Sequence, residues 1–329
     1  MTRPKLFFKH VACCRHRSCS HFPPMKTLLP ALTLWLTSLA LSAATANLPL
    51  HSADALIIEK LAKYNGLDAA PEVNPTKGWP ALQGELSVRF AATDGKKVML
   101  VGHDPQGRVT KLIGNGPLLA NEAYGWLAGL PELRSIRIDH NIPGPGSPLS
   151  HALYDGSGLA ALANSKLDEF KIGHAFDDQG TAALAKVKAL RVAQIGHSKV
   201  TDAGVAHFAR HPNIEEFSIS PQARPNRFTD KSLPVLATLP KLKRLGIHET
   251  FVTYEGGLKH LQPLKGRLES VSFKGALVLP ADVEKLKADH PGMKVEISTP
   301  AEILAAPNSR GVERWATPEA VAYLRGGTR

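Results

Sequence analysis

Cysteine is nearly absent from this chain: the three that occur, Cys13, Cys14 and Cys19, all lie within its first twenty residues. A chain that loses that stretch has no disulfide, no thiolate metal ligand and no thiol nucleophile. Aromatic residues are scarce too, at 6% of 329 residues, while Leu and Ala are plentiful. Such a core is built from many small, similar contacts and not from a few large anchors, which makes internal repeats worth seeking. Acidic residues are missing altogether from residues 1–46, where Arg3, Lys5, Lys9, Arg15, Arg17 and Lys26 stand unopposed. The formal charge of +11 therefore overstates any affinity for polyanions: six of the 40 basic residues belong to this leader, leaving 34 against 29 acids. A surplus of that size serves solubility, and no nucleic-acid partner is expected.

The leader has its own pattern. Met25-Lys26 precedes an apolar run from Leu28 to Ala44, and Ala44-Thr45-Ala46 supplies small residues where a signal peptidase reads. Residues 25–46 are thus expected to be a signal peptide cut after Ala46, and residues 1–24 a non-native extension upstream of the true start. The mature protein is expected to be exported, whether periplasmic, on the cell surface or secreted. Pro30 and the shortness of the run, against roughly 30 Å of hydrocarbon crossed at about 1.5 Å per residue, argue against a retained anchor. No membrane span is expected after cleavage.

Aligning the chain with itself shows apolar residues at positions 1, 4 and 6 of six segments: Leu133, Ile136, Ile138; Leu167, Phe170, Ile172; Leu190, Ala193, Ile195; Ile214, Phe217, Ile219; Leu242, Leu245, Ile247; and Leu268, Val271, Phe273. Most starts lie 23 to 28 residues apart. The outlying first interval contains an insertion rich in breakers, from Asn141 to Pro148. After each short strand comes a second element, clearest in Thr201-Asp202-Ala203-Gly204-Val205 and echoed by Asp178 with Gly180, Asp230 with Leu233, and Glu255 with Gly257. It reads as a helix start, with the Asp expected to cap the first free amides of its own helix. One strand and helix cannot bury both faces alone, so units must stack into a parallel sheet covered by helices.

The L-x-x-L-x-L spacing together with Thr-Asp-x-Gly-apolar resembles the ribonuclease-inhibitor-like leucine-rich repeats, including exported bacterial ones. The resemblance covers residues 109–298 and implies an α/β solenoid, with strands on a concave face and helices on the convex one. It implies no chemistry. The ninth position, often Asn in such repeats, is Asn141 once and then Ala175, Ser198, Gln222, Thr250 and Ala276, so no continuous asparagine ladder is expected. Residues 47–108 lack the repeat: a helix from Asp54 to Tyr64 and a hairpin around Asp94-Gly95 read as an N-terminal cap. Val109, Leu112 and Ile113 read as a first, degenerate strand, and residues 299–329 as a tail or cap.

Three candidate sites emerge. His140, His174 and His197 share position 8 and are expected to form a column at one edge of the sheet, able to carry pH-dependent charge but short of ligands for a tight metal. Arg137, Lys171 and Gln194 share position 5 and face any ligand on the concave surface, with Glu169 and Glu216 at position 3 partly neutralising them. The helix is expected to run to His211-Pro212, so that His207 and His211 share a helix face at i, i+4; they suit a metal only with a third ligand, and Phe208 is expected to point inward in preference to either. Gly102 to Val109 lacks the Lys and Ser/Thr of a phosphate loop, Gly156-Ser157-Gly158 lacks the nucleophile-elbow spacing, and H-E-x-x-H is missing. No cofactor is expected. The leading function is a non-enzymatic scaffold for a protein or glycan partner; a self-associating envelope protein and an enzyme with an unrecognised site are the alternatives.

Overall fold

Apolar side chains at positions 4 and 6 alternate with polar ones at 3, 5 and 7, a period of two that gives a strand one buried face. The computed structural model describes residues 48–75, 86–143, 149–221, 228–305 and 316–326. Residues 1–47, on which the expected non-native extension and signal peptide fall, Gln222 and most of the breaker-rich insertion lie outside the described residues. Among the described residues eleven strands form one sheet in sequence order: β1 (Glu72–Val73), β2 (Ser87–Ala91), β3 (Val98–His103), β4 (Val109–Asn115), β5 (Ser135–Asn141), β6 (Glu169–His174), β7 (Val192–Ser198), β8 (Glu216–Pro221), β9 (Arg244–Ile247), β10 (Ser270–Phe273) and β11 (Lys294–Ile297). Strands β1 to β4 pair antiparallel and β4 to β11 parallel. The fold is α/β with a mostly parallel open sheet, an arrangement compatible with a solenoid.

The six registers read in the sequence hold residue for residue. Ile136, Phe170, Ala193, Phe217, Leu245 and Val271 lie side by side across the ladder, and Leu112 and Val295 extend the row at its two ends. Positions 1, 4 and 6 of all six units are buried, and with the helices they form one continuous apolar core. Each crossover carries a short helix or 3₁₀ turn, such as Asp178–Leu184, Asp202–Ala206 and Leu258–Leu264, whose Leu184, Val205 and Leu261 complete the same core.

The helix starts correct one expectation. Asp202 does not cap its own helix; Thr201 does, its hydroxyl accepting from the amide of Ala203 at 3.2 Å. At the first helical position Asp202 instead reaches the next unit, accepting from the Thr229 amide at 2.8 Å, the Thr229 hydroxyl at 2.7 Å and the Ser232 hydroxyl. Asp178 holds Thr201 in the same way at 2.7 and 2.6 Å, and Asp230 holds Thr253 at 3.0 and 2.7 Å. Capping and stapling are therefore divided between neighbours: Asp177, Thr201 and Thr229 cap within their units, while Asp178, Asp202 and Asp230 staple one unit to the next. The Gly of the motif makes the space: a Cβ on Gly204 would lie 2.1 Å from Asp178 Oδ1, and one on Gly257 2.6 Å from Asp230 Oδ1.

A second correction concerns His211. The helix Asp202–Ala206 ends before it, and Arg210 turns the chain at a φ of 60°. His207 is left exposed while His211 is buried beside Phe208, its Nε2 3.1 Å from the carbonyl of Val187. The two imidazoles share no helix face.

At the N-terminal end the helix Ser52–Tyr64 buries Ile58 and Leu61, while Leu56 stays 68% exposed. Its Asp54 accepts from the Val109 amide at 2.8 Å, joining the helix to the first parallel strand. The hairpin β2–β3 turns at Asp94-Gly95, with Gly95 at a φ of 69°. At the C-terminal end the helices Pro300–Ala305 and Pro318–Leu324 bury Ile303, Ala320 and Leu324 against Leu277, in a small second apolar cluster. This part of the tail docks on the last units. Among the described residues no helix is long and apolar enough to cross a membrane.

Candidate functional site

Positions 3, 5 and 7 lie on the face of the sheet opposite the core. On β6 to β11 many of them carry small side chains: Gly173, Gly196, Ser218, Ser220, Gly246, Ser272 and Ser298. Over these strands lies a groove of about 680 Å³, bounded at one end by His140, His174 and Lys171 and at the other by Lys274, Glu296 and Glu302.

One rim of the groove is set by backbone conformation. Position 8 has a positive φ in His140 (54°), His174 (83°), His197 (45°) and Glu249 (53°), and in Gly275 (68°) and, on β4, Gly116 (103°). This left-handed region is costly for most side chains and is entered more readily by Gly, Asn, Asp and His. The histidines therefore sit at the turn that position 8 makes in most units, Pro221 on β8 being the exception, and stacking brings them together. His140 and His174 have ring centroids 4.8 Å apart, and His174 and His197 5.3 Å apart with nearly perpendicular planes.

The column ends in an acid. His197 Nε2 lies 3.1 Å from Glu249 Oε2, and the Ser220 hydroxyl donates to the same carboxylate. At the other end His140 Nδ1 lies 3.0 Å from Asn115 Oδ1. The hydrogen bond to Glu249 holds His197 above the ordinary imidazole value, whereas burial, with the charges of His140 and His197 beside it, holds His174 below. Burial also lowers His248, at position 7 of the groove. Nδ1 of His174 and Nε2 of His248 are buried without a hydrogen-bond partner. Among the described residues no group of three or more His, Cys, Asp or Glu is placed to hold a metal ion.

The position-5 row divides. Arg137 is fixed by Glu169, donating from Nε at 2.7 Å and from its terminal nitrogen, and does not line the groove. Lys171 and Gln194 do line it. Lys171 faces Asp139 at 3.8 Å, and the Gln194 amide donates to Glu216, which also accepts from Arg244 Nε at 2.7 Å. Glu169 at position 3 thus answers Arg137, whereas Lys171 is answered by Asp139 at position 7. His248, Glu249, Lys274, Glu296 and Glu302 escaped the sequence reading. Glu249 was within reach of it, because Leu242 plus seven residues is position 8 of its unit; Glu302 was not, because it enters from a helix outside the repeat.

No family model matches the chain, and no curated protein does either. Among solved structures it is similar to a Bacteroides fragilis protein determined as a structural-genomics target, at 12% identity over 69% of this chain and 96% of that one, with a TM-score of 0.30. A superposition that loose carries no argument, and the site is read from its own geometry.

Proposed function

We propose that the chain is an exported leucine-rich-repeat solenoid of the ribonuclease-inhibitor-like type, with residues 47–108 as its N-terminal cap. It acts as a non-enzymatic scaffold that binds a protein or glycan partner on the concave, sheet-lined face. The observation that carries this reading is the groove itself: positions 5, 7 and 8 of successive in-register strands converge on one polar trough of about 680 Å³. A surface held by a ladder of strands loses little conformational freedom on binding, which favours recognition.

The groove's chemistry supports binding over catalysis. Ser220, Glu249 and His197 are neighbours, but the carboxylate stands between the hydroxyl and the imidazole. Nucleophilic catalysis needs the imidazole in contact with the hydroxyl, with the carboxylate behind it. In this order the Ser220 hydroxyl meets the Glu249 carboxylate directly and the His197 imidazole only beyond it.

The test is capture from an envelope extract on the immobilised exported protein, alongside a Lys171→Glu/His174→Ala variant. The reading expects a discrete species held by the first and lost from the second. Capture of nothing but further copies of the chain would favour self-association, and equal capture by both would move the binding surface elsewhere. N-terminal sequencing of the exported protein is expected to begin at Asn47; a retained apolar run would overturn the export assignment.

A further inference from the structure

The walls and floor of the groove restrict what can occupy it. Ile172 and Ile195 reach it only through their backbones, since both side chains are buried in the core, and Ile297 at the far edge is its one exposed aliphatic residue. Among the described residues no Leu, Met, Phe, Tyr or Trp lines it. Protein interfaces take much of their energy from aromatic, Met and Arg anchors seated in apolar pockets, and this trough offers none. Its charges are mixed and locally answered: Lys171 opposes Asp139, His197 opposes Glu249, and Glu296 accepts from the Ser272 hydroxyl at 2.7 Å. An ionic ligand therefore meets no field of one sign.

Three features favour a ligand rich in hydroxyls. Carboxylates that already hold one partner keep lone pairs to accept another hydrogen bond. His174 and His248 are half-buried and line the groove, so each brings an imidazole to its wall. A neutral imidazole offers one donor and one acceptor, which matches a hydroxyl group that is both.

The floor points the same way. Gly173 and Gly196 pair across β6 and β7, and neither has a positive φ. A Cβ on Gly173 would come no closer than 3.5 Å to His140 N, and one on Gly196 no closer than 3.7 Å to Ile172 O, both ordinary contacts. Glycine weakens a strand, so where the fold does not require it the open space above is commonly used by something that approaches closely.

We infer that the groove binds a neutral saccharide, seated over Gly173 and Gly196 with its hydroxyls among His174, His248, Lys171 and Glu249. This rests on the binding reading above and selects the glycan from its two partner classes.

The experiment applies the labelled, exported full-length mature protein to an array of neutral and acidic glycans, with Gly196→Val and Gly196→Ala as floor-filling variants and Lys231→Ala as a control on the helix side. Thermal melts accompany each variant and are expected to match or exceed the parent. Retention of neutral glycans by the parent and the control, with a loss of about tenfold or more in Gly196→Val and a smaller loss in Gly196→Ala, is the expected result. Retention of acidic glycans alone, of no glycan, or of neutral glycans equally by a folded Gly196→Val would overturn the inference. If Gly196→Val misfolds, Gly196→Ala decides by the same comparison. A protein captured from envelope extract through the groove, with no glycan retained, would defeat the saccharide inference and leave the scaffold reading standing. Failure of both captures would remove both.

Discussion

Replacing Asp202 with Ala removes three hydrogen bonds that join two successive units, from the Thr229 amide, the Thr229 hydroxyl and the Ser232 hydroxyl. Each bond to an ionised acceptor contributes about 1.5–3 kcal/mol net, but the three share one carboxylate and do not add. The two hydroxyls can turn elsewhere; the half-buried Thr229 amide cannot, and it carries the desolvation cost. The expected loss is about 2–4 kcal/mol, against about 1 kcal/mol for a helix cap within one unit such as Asp177→Ala would remove. In a stacked array stability resides in interfaces between neighbours, so weakening one staple should also broaden the transition as the two ends lose their coupling. Urea unfolding followed by circular dichroism measures both effects. A double-mutant cycle with Thr229→Ala should return a coupling of about 1 kcal/mol or more. A loss below about 0.5 kcal/mol with no coupling would show that Asp202 does nothing beyond surface solvation, and the staple argument would fail.

Ile195, 1% exposed at the centre of the ladder, is expected to tolerate no charge: Ile195→Asp should cost more than about 4 kcal/mol and abolish the cooperative thermal transition, and a folded variant with a modest shift would contradict the register. At position 8, where His174 has a φ of 83°, Gly should be neutral or mildly stabilising and Val should cost about 1–2 kcal/mol; the reverse order in thermal melts would refute the backbone explanation of the histidine column. Stability should also depend on pH with opposite signs at two neighbouring rings. His197, raised by its bond to Glu249, contributes stability fully below about 6.5 and loses it as pH rises through its higher folded value; His174, lowered by burial, withdraws stability as pH falls below about 6.5. Glu249→Gln should therefore destabilise more at pH 6 than at pH 9, and an equal effect at both would remove the ion pair from the account.

Much of this arrangement was legible because it repeats. Leu133, Leu167 and Leu190 announced strands whose spacing the sheet then kept, and the same count placed His140, His174 and His197 in one column within ring contact. What the repeat did not disclose was direction. An Asp at a helix start satisfies its own amides or a neighbour's equally well by local rules, and only stacking shows Asp202 turning to Thr229. His211 was misread because helix length was overestimated; the chain leaves the helix after Ala206 and then turns through Arg210, carrying His211 into the core. The far wall of the groove was illegible for a different reason, since Glu302 comes from a helix that belongs to no repeat.

The central claim, that this polar groove is the binding surface, is tested most directly by hydrogen–deuterium exchange on the protein from Asn47 onward, with and without the species it captures. The account predicts added protection in peptides spanning residues 169–174, 192–198 and 244–249, with the helix-side segments 178–184 and 202–206 unchanged. Protection confined to those helix-side segments, or to the C-terminal helices, would contradict it.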